Sequence, residues 1–146
     1  MHTHRDPLKV IASTASLASF LHRLARDDTS IAALAPGWAE WLVLGDDRSV
    51  DGREDGTVPP GRAVDVHYRD FMAAPFDAIA AVYDRIGVPF TDVAEQAMKQ
   101  FLADNAADKH GVHRYTFSAT GLDVETMRRR TARYERYFNV VREELG

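Results

Sequence analysis

The stretch THRDPLKVIASTASL, residues 3–17, decides how the rest of this chain is read. Asp6 is a good helix N-cap, and Pro7 belongs at the first helical position, where its missing N–H costs nothing and its fixed φ suits the turn. A helix is therefore expected to start directly after Arg5. Apolar residues recur at Val10, Ile11, Leu17, Phe20, Leu21 and Leu24, a spacing that predicts one buried helical face. Ser13 lies off that stripe, roughly 10 Å along the axis from Asp6, within the span of an arginine folded back over the first two turns. The Arg5 guanidinium and the Ser13 hydroxyl can thus converge on one anion beside the helix, whose N-terminus adds partial positive charge.

With 146 residues, 45% of them hydrophobic and 27% charged, the composition is that of one ordinary globular domain. Apolar runs are interrupted within a few residues, so neither a membrane span nor a secretory signal is read. Zero cysteines exclude disulfides and thiolate chemistry and are compatible with a reducing cytoplasm, the expected location. A net charge of −4 argues against general nucleic-acid affinity, although local basic groups can still hold a small anion. A phosphate-binding helix normally follows a strand that positions it, yet only four residues precede Arg5, and no glycine-rich phosphate loop occurs anywhere. The chain therefore reads as the later part of a larger nucleotide-binding domain, a single N-terminally truncated unit over residues 1–146.

Downstream, residues 27–30 (DDTS) supply a turn and a cap for a second helix carrying Ile31, Leu34, Trp38, Trp41, Leu42 and Leu44, with Pro36-Gly37 as an alternative start. The tryptophan pair is read as core packing. Residues 45–62 turn polar and rich in Gly and Pro, the composition of a loop. Residues 63–68 (AVDVHY) are a strand with Val64, Val66 and Tyr68 on one face. Pro75 opens a helix that Gly87-Val88-Pro89 stops, and Thr91 caps another whose face is Ala94, Ala97, Met98, Phe101 and Leu102. Residues 104–123 are polar and gather Lys109, His110, His113 and Arg114. A final helix from Asp123 places Met127, Thr131, Tyr134 and Phe138 inward, with Arg128, Arg129 and Arg130 read as a solvated surface and residues 143–145 as a frayed end.

Arg5, Asp6, Pro7 and Ser13 resemble the 3′-phosphate-binding segment of sulfotransferases that use 3′-phosphoadenosine 5′-phosphosulfate (PAPS). In that family an Arg leaves a central strand, a polar residue and Pro open a helix, and a Ser eight positions after the Arg completes the phosphate site. The stretch VDVHYRDFMAAPFDAIAAVYDRIGVPF, residues 64–90, is similar to the family's later parallel strand and Pro-initiated helix. Lys109, His110 and Gly111 resemble the basic pair and Gly that wrap the 3′-phosphate, with His in place of the second Lys or Arg and Thr120 in place of an aromatic. The resemblance implies an α/β fold, the C-terminal part of a P-loop-like sulfotransferase domain, mostly helical with one or two parallel strands. It also implies that helix persists toward Glu54, leaving the loop to residues 55–61.

The resemblance further implies PAPS as sulfuryl donor, a small-molecule hydroxyl acceptor, and a cofactor site made of Arg5, Ser13, Lys109, His110 and Gly111. The 5′-phosphosulfate loop and upstream base of that family have no counterpart here, so no catalytic residue is assigned and this chain alone is expected to be inactive. His67 and His113 are the substitute bases considered, neither well placed. His2, His4, His110 and His113 have possible metal-ligand spacings, but without Cys or carboxylates at a confirming interval no metal site is expected. The alternative function is a non-catalytic helical interaction domain derived from such a gene. Unmatched apolar faces are expected to favour self-association.

Overall fold

The computed structural model describes residues 1–25, 29–105 and 115–146. Strand β1 (His2–His4) pairs in parallel with β2 (Asp65–His67), the His2 N–H donating to the Val64 carbonyl at 2.7 Å. The helices are α1 (Pro7–Arg23), α2 (Ile31–Glu54), α3 (Tyr68–Ala73), α4 (Pro75–Arg85), α5 (Asp92–Asp104) and α6 (Val124–Tyr137), with a 3₁₀ turn at Phe117–Thr120. The chain divides into two compact units. One comprises the described part of Met1–Thr3 and Val64–Arg114, the other the described part of His4–Ala63 and Tyr115–Gly146.

Local chemistry sets most of the helix starts. The Asp6 carboxylate accepts from the Leu8 N–H at 2.9 Å, Ser30 caps α2 through the Ala33 N–H, Thr91 caps α5 through Ala94, and Asp123 caps α6 through Thr126. Pro36 does not start α2 but lies inside it, forgoing one intrahelical bond that the remaining turns outweigh. Helix α2 runs to Glu54, as the family resemblance implies. Tyr68 does not extend β2. With Gly and Pro absent until Pro75, the chain turns straight into α3 at that residue.

In the larger unit, Leu8, Ile11 and Ala12 of α1 pack with Ala39 and Val43 of α2, Phe117 of the 3₁₀ turn and Met127 of α6. A second cluster joins Val50, Tyr134 and Phe138. Met127, Thr131, Tyr134 and Phe138 are all buried, as their spacing predicts. Of the stripe expected on α1, Ile11 is buried and Val10 half-buried, but beyond the second turn the buried face is a different one. Ala15, Ser16, Ala18 and Ser19 continue the line of Leu8 and Ile11, while Leu17, Phe20, Leu21 and Leu24 are exposed. Small side chains let α2 approach closely, and this close contact prevails over the larger hydrophobes on the opposite face. Trp38 and Trp41 also stay exposed, the latter at 69%, and flank a groove of about 430 Å³ with Ala33, Leu34 and Gly37.

In the smaller unit, α3 packs on α4 and β2. None of the residues of α3, α4 and α5 is fully buried. The expected α5 face lines an open apolar groove of about 460 Å³ with Phe71, Phe76 and Ile79. A neighbouring cavity of about 530 Å³ lies between Val66, Phe71, Val82 and Met98.

The two faces of α1 can be told apart by substitution. Leu8→Ala is expected to cost about 2–5 kcal/mol in urea denaturation, whereas Leu21→Ser should stay within about 0.5 kcal/mol. The reverse order would put the large-residue stripe back in the core.

Candidate functional site

Arg5 stands at the junction where β1 ends and the Asp6 cap begins α1. Its guanidinium is held by Glu143, Nε donating to Oε1 and Nη2 to Oε2, both at 2.9 Å. Ser13 lies half-buried on the second turn of α1. Lys109, His110 and Gly111 lie outside the described residues, as do His113 and Arg114. The structure therefore places Arg5 just before the cap of α1 and Ser13 on the second turn of that helix.

What surrounds Arg5 is a buried network of alternating charge. Asp6 Oδ1 accepts from Leu8 N–H at 2.9 Å and from Arg128 Nη1 at 2.7 Å, while Oδ2 accepts from Arg128 Nη2 at 2.8 Å and from the Glu143 N–H at 2.7 Å. Arg128 also donates to Glu135 Oε1 at 3.1 Å, and that carboxylate further accepts from Thr131 Oγ1 and Arg142 Nε, each at 2.8 Å. Burial pushes the Asp6 carboxyl up, but the Arg128 hydrogen bonds, the Glu143 N–H and the guanidinium charge outweigh it and hold the group below its ordinary value. His4 is buried beside this network, its Nδ1 2.8 Å from the Tyr134 hydroxyl and its ring stacked on Phe138 at 4.2 Å.

Arg128 is not part of a solvated surface, since its side chain is 10% exposed and clamps a fully buried Asp6. Residues 143–145 are not frayed: Glu143 binds Arg5 and Asp6, and the Leu145 carbonyl accepts from the Phe117 N–H at 3.1 Å. The signal for Arg128 was available, because Arg128, Thr131 and Glu135 recur on one helix face beside the apolar stripe. Nothing in sequence spacing pointed to Glu143, whose contacts are with residues more than 130 positions away.

On the outer side of α6, Arg130 pairs with Glu40 at 2.6 and 2.7 Å, and Arg133 with Asp51 and Glu54 at 2.6 Å each. Asp46 of α2 is pushed up to about 7, first by burial and then by the charges of Asp47 and Glu135.

A profile described as the sulfotransferase family matches residues 1–92, more than half of the chain and inclusive of the Arg5–Ser13 stretch. The chain belongs to the sulfotransferase family. The structure is similar to the crystal structure of sulfotransferase STF9 from Mycobacterium avium, with a TM-score of 0.74 and 25% identity. That similarity covers 98% of this chain and 36% of the mycobacterial one, so the chain spans about a third of that relative's length. No curated protein sequence gives a significant match. The α/β sulfotransferase fold is thereby established, mostly helical with a two-stranded parallel sheet. Arg128, Glu135 and Glu143, which fix the Arg5–Asp6 corner, lie beyond the part that the family profile matches.

Arg128→Ala leaves the fully buried Asp6 without its guanidinium partner and is expected to cost about 3–5 kcal/mol. Arg130→Ala, which breaks an exposed pair, should scarcely move the denaturation midpoint. The pH dependence has two limbs. Asp6 titrates lower folded than unfolded, so its contribution is present above the ordinary carboxylate range and is lost as pH falls through the folded value. Asp46 has a raised folded value, so its contribution is full below 3.8 and is lost as pH rises through about 7. Asp46→Asn should therefore raise Tm increasingly from about pH 4 and level off above about pH 7, and a pH-independent gain would contradict the assignment.

Proposed function

We propose that this chain contributes the 3′-phosphate half of a PAPS site in a sulfotransferase that moves a sulfuryl group to the hydroxyl of a small-molecule acceptor. The observation that carries the reading is the Arg5-Asp6-Pro7 corner with Ser13 on the following helix, formed at a strand end within the family-matched residues. Arg5 and Ser13 contact the 3′-phosphate, and Lys109, His110 and Gly111 close over it. In the reaction the acceptor oxygen attacks sulfur, the bond from sulfur to the 5′-phosphate oxygen breaks, and the acceptor proton leaves to a base. Charge builds on the departing phosphate oxygen and requires preorganised donors. On this reading those donors and the base belong to residues outside this chain, which spans about a third of the mycobacterial relative.

The cytoplasm is the proposed location, and among the described residues no helix is long and apolar enough to cross a membrane. The exposed Leu17, Phe20, Leu21 and Leu24 stripe supports self-association, and it also favours the second reading, a non-catalytic interaction domain. Selective binding of adenosine 3′,5′-bisphosphate separates the two.

A charge-assisted hydrogen bond is worth about 1.5–3 kcal/mol, so Arg5→Ala should weaken binding of adenosine 3′,5′-bisphosphate roughly ten- to a hundredfold in a calorimetric titration. Unchanged affinity removes Arg5 from the site. With sulfur-labelled PAPS and a panel of phenol, alcohol and sugar acceptors, the chain by itself should transfer no label. Transfer would place the base and the leaving-group donors among these residues.

A further inference from the structure

We propose that Glu143 is an internal competitor for the 3′-phosphate: its carboxylate holds the Arg5 guanidinium in the absence of nucleotide and must swing away when the phosphate binds. The inference rests on the reading of Arg5 as a phosphate ligand. A carboxylate and a phosphate engage a guanidinium in the same way, through two parallel N–H···O bonds, and Glu143 already makes that contact at 2.9 Å on each arm. Among the described residues, each of Arg5, Arg128 and Arg142 at this corner already carries a carboxylate partner, Glu143, Asp6 and Glu135 respectively. A dianionic phosphate added to this arrangement would sit beside the carboxylates of Glu143 and Asp6, and that like-charge repulsion opposes binding.

Asp6 cannot move to relieve the repulsion, since its oxygens are tied to Leu8, Arg128 and Glu143 N–H. The Glu143 side chain can. It is 30% exposed, and the tail is anchored by groups other than the carboxylate, through the Glu143 N–H on Asp6 and the Leu145 carbonyl on Phe117. A side-chain rotation therefore transfers Glu143 to water and leaves the backbone of the tail in place. Binding then exchanges one anion for another on Arg5, and the affinity of the site is set by how far a phosphate dianion exceeds a carboxylate as its partner.

The test is a double-mutant cycle with adenosine 3′,5′-bisphosphate as ligand, on the full 146-residue chain. Glu143→Gln keeps the shape and removes the charge, and is expected to bind roughly tenfold more tightly than wild type, with no such gain in the Arg5→Ala background. Adenosine 5′-phosphate, which lacks the 3′-group, should bind both forms equally. Thermal melts verify that each variant is folded. Equal or weaker binding by Glu143→Gln, with Arg5→Ala still weakening wild type, overturns the competitor role and leaves Arg5 in the site. An equal gain for adenosine 5′-phosphate would also overturn it, as general electrostatics. Indifference of wild type to Arg5→Ala is a separate failure, one that removes the site itself and this inference with it.

Discussion

The structure of the larger unit depends on one buried ion pair, Asp6 with Arg128. A carboxylate has about four lone-pair positions, and each Asp6 oxygen accepts twice, from Leu8 N–H, the two Arg128 nitrogens and Glu143 N–H. Such saturation is what makes burial of the pair tolerable, because desolvating two charges is repaid only when the geometry is good and the remaining polar atoms are satisfied. Among the described residues no buried side-chain polar atom lacks a partner. The pair fixes three things at once: where α1 begins, how α6 lies against that start, and where the C-terminal tail crosses it. Arg5 immediately precedes Asp6, so the guanidinium of this corner is placed by its neighbour.

This gives the Asp of the Arg-Asp-Pro corner a role distinct from ligand binding. Its local task, capping α1, would be served by Ser or Asn. Its long-range task would not, since only a carboxylate offers two acceptor oxygens for a bidentate guanidinium. The C-terminal residues, which the family profile does not match, complete the corner from the other side. The helix start that carries the family pattern is thus held by the pattern's own Asp6 and by residues from beyond the matched region.

The sequence was most legible where structure is decided by residues a few positions apart. Asp6, Ser30, Thr91 and Asp123 announce their helices because capping is a contact of two or three positions. The family resemblance was legible for the same reason, the Arg-to-Ser spacing being a property of one strand end and one helix. Burial was less so. On α1 both faces carry apolar residues, and choosing between Ala15 and Ala18 on one side and Leu17 and Leu21 on the other requires knowing what packs against them. Arg128 is an intermediate case: its alignment with Thr131 and Glu135 marks the helix face, but its type argues for solvent, and the carboxylate of Asp6, 122 positions away, decides its burial. Lys109, His110 and Gly111, named from the resemblance, fall outside the described residues, so their part of the site rests on the sequence.

The smaller unit shows how a fold can be specified locally and still bury little. Pro75 opens α4, Thr91 caps α5, and Gly87, at a positive φ of 71°, ends the helix between them in a conformation that costs a Cβ-bearing residue more. Yet these helices contribute no fully buried residue, and the apolar side chains of α4 and α5 border open grooves. Stabilisation scales with apolar area removed from water, about 25 cal/mol per Å², so Phe101 at 65% exposure and Leu102 at 53% realise only part of what they could contribute. A two-stranded sheet adds little on its own. Local signals therefore establish the elements of this unit, whereas the larger unit has in addition a close-packed core and a saturated ion pair, and it is on that better-braced scaffold that the Arg5 corner is built.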